Sequence, residues 1–229
     1  YVASNVDVDD AVLADSELTV RVAHFERQGI QVAISLLEEK NTFRVRYLNK
    51  QQPLVSIIVA NKNHASIIWQ CIDELLTHTD YVNYELVIVD QNSDVDDMDF
   101  IYQEMKDELG EQFNLLSYPE PNYSAMINFG VSHAKGDYVV VLANSAMPMN
   151  NDWLSTMCAI AQRPEIGVVG ARIIDADNKL VHAGGALGVT DDVRGLFSGQ
   201  PFDDAGYMGR AQLTQQYSFI SSACFMVST

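Results

Sequence analysis

Three short, almost unbroken apolar runs constrain this chain more than any other feature: Val55-Ser56-Ile57-Ile58-Val59, Tyr84-Glu85-Leu86-Val87-Ile88-Val89 and Tyr138-Val139-Val140-Val141-Leu142. A strand that is apolar at consecutive positions has to be covered on both faces. Between the runs the apolar spacing changes to that of helices. Ile67, Ile68, Cys71, Leu75 and Leu76 form one such stretch, and Met98, Ile101, Met105 and Leu109 form another over 97–109. A further strand is expected at 113–117. A helix should follow Asn122, with Met126, Ile127, Val131 and Ala134 apolar. Strands alternating with helices in this way predict an α/β domain with a mostly parallel sheet.

In such sheets ligands sit beyond the C-terminal ends of the strands. That rule selects the loops 60–64, 90–97 and 143–150. They read Ala60-Asn61-Lys62-Asn63-His64, Asp90-Gln91-Asn92-Ser93-Asp94 and Ala143-Asn144-Ser145-Ala146. Asn, Asp and Ser there supply the donors and acceptors that a base and a ribose require. The same residue types also make turns and helix caps. Three such loops on one sheet edge favour binding.

Upstream, Ala14, Leu18, Val22 and Phe25 lie at helical spacing before a C-capping Gly29. Val32, Ile34 and Leu36, then Phe43, Val45 and Tyr47, alternate as in a hairpin turning through Glu38-Glu39-Lys40-Asn41. Residues 1–10 are expected to be loose, and polar Asn49 to Pro53 marks a boundary. Residues 1–52 therefore form a helix–hairpin segment or linker, and 53–229 the main domain. The segment is too short to bury a core alone.

Composition narrows the function. Thirty-one acidic against 14 basic residues give a net charge of −17, which leaves little for a nucleic-acid-binding patch. No apolar run approaches the roughly 18–20 residues of a membrane span. Cys71, Cys158 and Cys224 are widely spaced, as expected of reduced, buried thiols in a cytosolic protein rather than of a disulfide frame or zinc site.

Several motifs in register resemble family 2 glycosyltransferases. Residues 55–63, Val-Ser-Ile-Ile-Val-Ala-Asn-Lys-Asn, are similar to V-S-I-I-I-P-T-x-N. Residues 84–93 resemble Y-E-I-I-V-V-D-N-x-S. Asn122-Tyr123-Ser124 with Asn128 and Gly130 resembles N-[FY]-S-x-x-x-N-x-G, and Gly136 to Leu142 resembles G-[ED]-Y-[LV]-[LV]-F-L. Asp152-Trp153-Leu154, Gly167 to Ala171 and His182-Ala183-Gly184 follow in order. The resemblance covers 53–229. It implies a GT-A fold, one site for a nucleotide-diphosphate sugar of UDP or dTDP type, and inverting transfer to a saccharide acceptor. It also implies bacterial cell-surface polysaccharide synthesis at the cytoplasmic face of the membrane, with peripheral attachment through a longer protein. The nucleotide-sugar contacts it implies fall on Ala60, Asn61, Asn63, Asp90, Asn92, Asn122, Ser124, Asn128, Asn144 and Ser145. His182 falls on the acceptor side. No catalytic residue is assigned.

Two departures from the family matter. Its D-x-D carboxylates, which hold Mg²⁺ or Mn²⁺, align here with Ala143-Asn144-Ser145, and no acid lies between Asp137 and Asp152. A divalent ion wants hard, charged oxygens, so no metal ligand is assigned. The acidic general base of the family lies in a motif beyond the strand Ala223–Val227, and the sequence ends at Thr229. With a start at Tyr1, this suggests a piece of a longer protein that is inactive alone. Two functions remain: a glycosyltransferase domain, or a GT-A module that binds without catalysis. Lys62 could replace the metal in a metal-independent transfer.

Overall fold

A computed structural model describes residues 10–37, 42–49, 51–95, 97–188 and 195–229. The expected loose start (1–9) and the hairpin turn (38–41) lie outside these residues, although Asp10 is already helical. Helix α1 (Asp10–Arg27) precedes strands β1 (Val32–Leu36) and β2 (Phe43–Tyr47). The main domain follows with β3 (Val55–Asn61), α2 (Ala65–Thr77), β4 (Tyr84–Asp90), α3 (Asp97–Leu109), β5 (Phe113–Ser117), α4 (Tyr123–His133) and β6 (Tyr138–Leu142). It ends with α5 (Trp153–Ala161), β7 (Val168–Gly170), β8 (Ile173–Ile174), β9 (Leu180–His182) and β10 (Cys224–Ser228).

The six-stranded sheet has the order β5-β4-β3-β6-β10-β7. Strands β5, β4, β3 and β6 are parallel, and β10 runs antiparallel between β6 and β7. The apolar runs are unbroken because both faces are covered. Ile57, Val59, Leu86, Ile88, Val140 and Leu142 pack with residues of α2, α3 and α5. Ile58, Ala60, Val87, Val89, Val139 and Val141 pack with Met126 and Ile127 of α4. Each such Val, Leu, Ile or Met side chain contributes about 1.5–3 kcal/mol on burial. Helix α4 approaches closely at Gly130, where a Cβ would stand 2.6 Å from Ile58 Cγ2.

Polar residues inside two of the runs form a buried cluster at the opposite, N-terminal end of the strands. Ser56 Oγ donates to Glu85 Oε1 (2.6 Å), and the Lys135 backbone N–H donates to the same oxygen (2.7 Å). Gly136 N–H donates to Ser56 Oγ (2.9 Å). The cluster ties the entry of β6 to β3 and β4.

The upstream segment leans on α5. Phe25 meets Tyr47 edge-on at 6.1 Å, and the Arg21 guanidinium lies 4.2 Å from the Phe43 ring centroid. Arg46 pairs with Asp152 (2.8 Å), Arg163 lies over the Tyr47 ring, and Asn49 Nδ2 donates to the Ser155 carbonyl (3.0 Å).

All three cysteines are free and buried. Burial pushes the Cys71 and Cys224 thiols up to about 12. A thiol that stays protonated only in the folded state stabilises the fold below its unfolded pKa. That stabilisation is lost as pH rises from the ordinary thiol value, near 9, toward about 12. Native protein at pH 8 is expected to resist iodoacetamide at all three cysteines and to take up three labels in guanidinium, as read by intact mass. Labelling of Cys71 without unfolding would contradict this burial.

Candidate functional site

The chain runs outward from β3 through β4 to β5, then returns to place β6 on the other side of β3. The strand order therefore reverses between β3 and β6, and crevices form at such points. Here β3 pairs with β6 only from Val55 to Ile58, whereas its pairing with β4 continues to Asn61. The last three residues of β3 have no ladder partner on β6, which leaves a gap in the pairing at the C-terminal edge.

The strand-end side chains bridge that gap. Asn144 Nδ2, in the loop after β6, donates to Asn61 Oδ1 (3.0 Å). Asn61 is 2% exposed and donates from Nδ2 to the hydroxyl of Tyr102 (3.1 Å). Tyr102, on α3 and 6% exposed, donates to Asp90 Oδ1 (2.7 Å). Asp90 also accepts from Ser93 Oγ (2.5 Å) and from the Ser93 N–H (2.7 Å at Oδ2). Ser93 Oγ in turn accepts from the Asn63 N–H (2.9 Å). Asn63 and Asp94 exchange two further bonds, of 2.6 and 2.8 Å. One circuit thus joins all three loops. Burial and the bond to Asp90 raise the Tyr102 pKa well above the usual phenol value.

The expected contact residues divide by position. Asn61, Asn63, Asp90 and Asn144 are in the circuit. Asn63 and Asn92 have φ of 54° and 48°, a conformation that asparagine tolerates better than other side chains. Asn92 Oδ1 accepts from Ser117 Oγ (2.7 Å). The Ala60 methyl faces the α4 side of the core and offers a ligand no polar group. Asn122 caps α4 by accepting from Ala125 N–H (3.0 Å), while Ser124 and Asn128 are exposed on that helix. Ser145 and Lys62 are exposed in their loops. His182 is outside the circuit, in the β8–β9 pair, where Nδ1 accepts from Gly184 N–H (3.0 Å) and the ring meets Phe219 of the segment before β10. Burial lowers the His182 pKa and favours the neutral ring.

Tyr102 and Ser93 are central to the circuit; Ser93 stands in the 90–94 loop and closes the 84–93 motif without being an expected contact, and no sequence pattern singles out Tyr102. Tyr102 follows Ile101 on a helix whose buried positions otherwise read as core, so only its hydroxyl hinted at a polar task.

The donor set does not fit a carboxylate-held Mg²⁺ or Mn²⁺. Asn144 and Ser145, in the loop after β6, offer only neutral oxygens. Among the described residues, no group of three or more His, Cys, Asp or Glu is gathered for a metal. Nor is any described helix long and apolar enough to cross a membrane.

A mostly parallel α/β sheet with flanking helices and an antiparallel strand beside β6 is a GT-A architecture. Residues 56–228 match Glycosyl transferase family 2, and the chain belongs to that family. It is 32% identical over 189 residues to the uncharacterized protein y4gI of Sinorhizobium fredii, covering 81% of this chain and 20% of that protein. It is 28% identical to the O-antigen biosynthesis protein RfbC of Myxococcus xanthus, covering 89% of this chain and 16% of that protein. The chain thus spans a fifth or less of these curated relatives. Among solved structures it is similar to the mannosyltransferase PcManGT of Pyrobaculum calidifontis, in complex with GDP-Man and Mn²⁺. There the identity is 20% and the TM-score 0.49, with 71% of this chain and 46% of that one covered.

Proposed function

We propose that this chain is the nucleotide-sugar-binding domain of a larger bacterial glycosyltransferase that makes cell-surface polysaccharide by inverting transfer. The observation that carries the reading is the hydrogen-bonded circuit that gathers Asn61, Asn63, Asp90 and Asn144 at the C-terminal ends of β3, β4 and β6. Asp90 Oδ2 accepts one protein bond and keeps capacity for a base N–H or a ribose hydroxyl. That suits a UDP- or dTDP-type donor held at the cytoplasmic face of the membrane. The first residue of β10 pairs with the last of β6, so the segment entering β10 arrives at the same sheet edge. Upstream in that segment a cavity of about 420 Å³, lined in part by Arg210, Gln215, Gln216 and Tyr217, offers polar groups to a saccharide acceptor. The described residues of 1–52 serve as an appendage docked on α5, not as a second domain.

Ala143-Asn144-Ser145 favours a second reading, a GT-A module that binds without transferring. Calorimetric titration with UDP, dTDP and GDP, with and without Mn²⁺, tests both readings. UDP or dTDP is expected to bind, with Mn²⁺ changing the Kd less than about threefold, since no charged ligand oxygen gains the ion's attraction. Failure of all three nucleotides to bind would overturn the donor reading. Sugar transfer from a bound donor by this chain would overturn the second.

A further inference from the structure

We propose that Tyr102 is a positioning residue: it couples the Asp90 carboxylate to the Asn144 amide and so sets which face of that amide a donor sugar meets. The inference rests on the nucleotide-sugar reading above.

The argument runs along the circuit one proton at a time. An ionised carboxylate only accepts. The Tyr102 hydroxyl, 2.7 Å from Asp90 Oδ1, therefore gives its single proton there. Its oxygen can then only accept from Asn61, 3.1 Å away, so Asn61 must turn Nδ2 toward it. This leaves Asn61 Oδ1 facing the gap, where it can only accept. Asn144 must therefore present Nδ2 at 3.0 Å. The charge on Asp90 thereby selects the amide orientation of two asparagines, the second of them across the gap. Asn144 Oδ1 is left as an acceptor with no protein donor among the described residues, at the end of β6 where the strands part. All three donors point toward Asp90, and each polarises the next. Asn144 and Asp90 belong to different loops and make no direct bond. The link runs through Tyr102 on α3 and Asn61 on β3.

Without the Tyr102 hydroxyl the constraint ends. Asn61 and Asn144 can then flip as a pair, presenting an amide N–H₂ where the carbonyl stood. Asp90 keeps both bonds from Ser93. The nucleotide half of a donor should hardly notice this change, while the sugar half should.

The test uses the full chain with UDP, UDP-glucose, dTDP and dTDP-glucose as probes. Tyr102→Phe is expected to weaken a sugar conjugate about tenfold and its parent diphosphate less than about threefold, the scale of one buried hydrogen bond. In an Asn144→Ala background the same substitution should leave conjugate affinity unchanged, because the effect passes through Asn144. Equal losses for conjugate and parent, or additive effects of the two substitutions, would overturn the proposal. A second readout needs no ligand. The side-chain amide signals of Asn144 in a ¹⁵N–¹H spectrum should move in Tyr102→Phe, although the two residues do not touch. Unmoved signals would also overturn it. If none of the four probes binds the wild-type chain, the donor reading fails, and the amide signals alone decide the coupling.

Discussion

Glu85→Ala is expected to lower stability by about 3–5 kcal/mol, the usual cost of removing one partner from a buried, charge-assisted cluster. Glu85→Gln should cost about 1 kcal/mol, because it keeps the bonding acceptor. Both bonds to this side chain converge on Oε1, one from Ser56 Oγ and one from the Lys135 N–H. A glutamine with its carbonyl in that place preserves them. The alanine leaves the buried Ser56 hydroxyl and the part-buried Lys135 N–H without their acceptor. The second carboxylate oxygen contributes little: it lies 3.8 Å from the Lys135 ammonium, which is solvent-exposed. Against a typical domain stability of about 5–15 kcal/mol, the alanine variant should melt far below the wild type. Urea melts of the two variants check this. Equal loss in both would assign the stabilisation to the charge rather than to the hydrogen bonds.

Ser145→Asp should make UDP binding depend on Mn²⁺, tightening it about tenfold when the ion is present, within the range of a close charge pair near a protein surface. Ser145 is exposed in the loop after β6. It aligns with a carboxylate position of the family's D-x-D motif, so the new group needs no rearrangement of the core. Added to the diphosphate's own oxygens, one hard anionic ligand matches the chemistry that Mg²⁺ and Mn²⁺ prefer. Titration of the variant with and without EDTA is the measurement. Indifference of the variant to Mn²⁺ would mean that the loop cannot hold the ion even with a carboxylate. Strong Mn²⁺ dependence in the wild type would mean that neutral oxygens suffice.

Much of this molecule was legible in its sequence, for an identifiable reason. The unbroken apolar runs at 55–59, 84–89 and 138–142 report two covered faces, and the helical spacing between them reports what covers those faces. Both are local periodicities. Strands β3, β4 and β6 follow directly, as does the edge at which their ends collect. Asn122 as a helix cap and Gly29 after α1, at φ +65°, were legible on the same grounds. Partner choice was not. Ser56 and Glu85 stand out in sequence only as polar interruptions of apolar strands. They meet because β3 and β4 pair in parallel with Ser56 opposite Glu85. Asn61 read as a ligand contact or a turn residue, yet its amide is engaged on both sides by Tyr102 and Asn144, 41 and 83 residues away. Periodicity tells which face a side chain takes. Its hydrogen-bond partner depends on strand order, on register and on where β3 and β6 part. Only the assembled sheet decides these, because the bonds that fix a buried polar group come from elements distant in the chain.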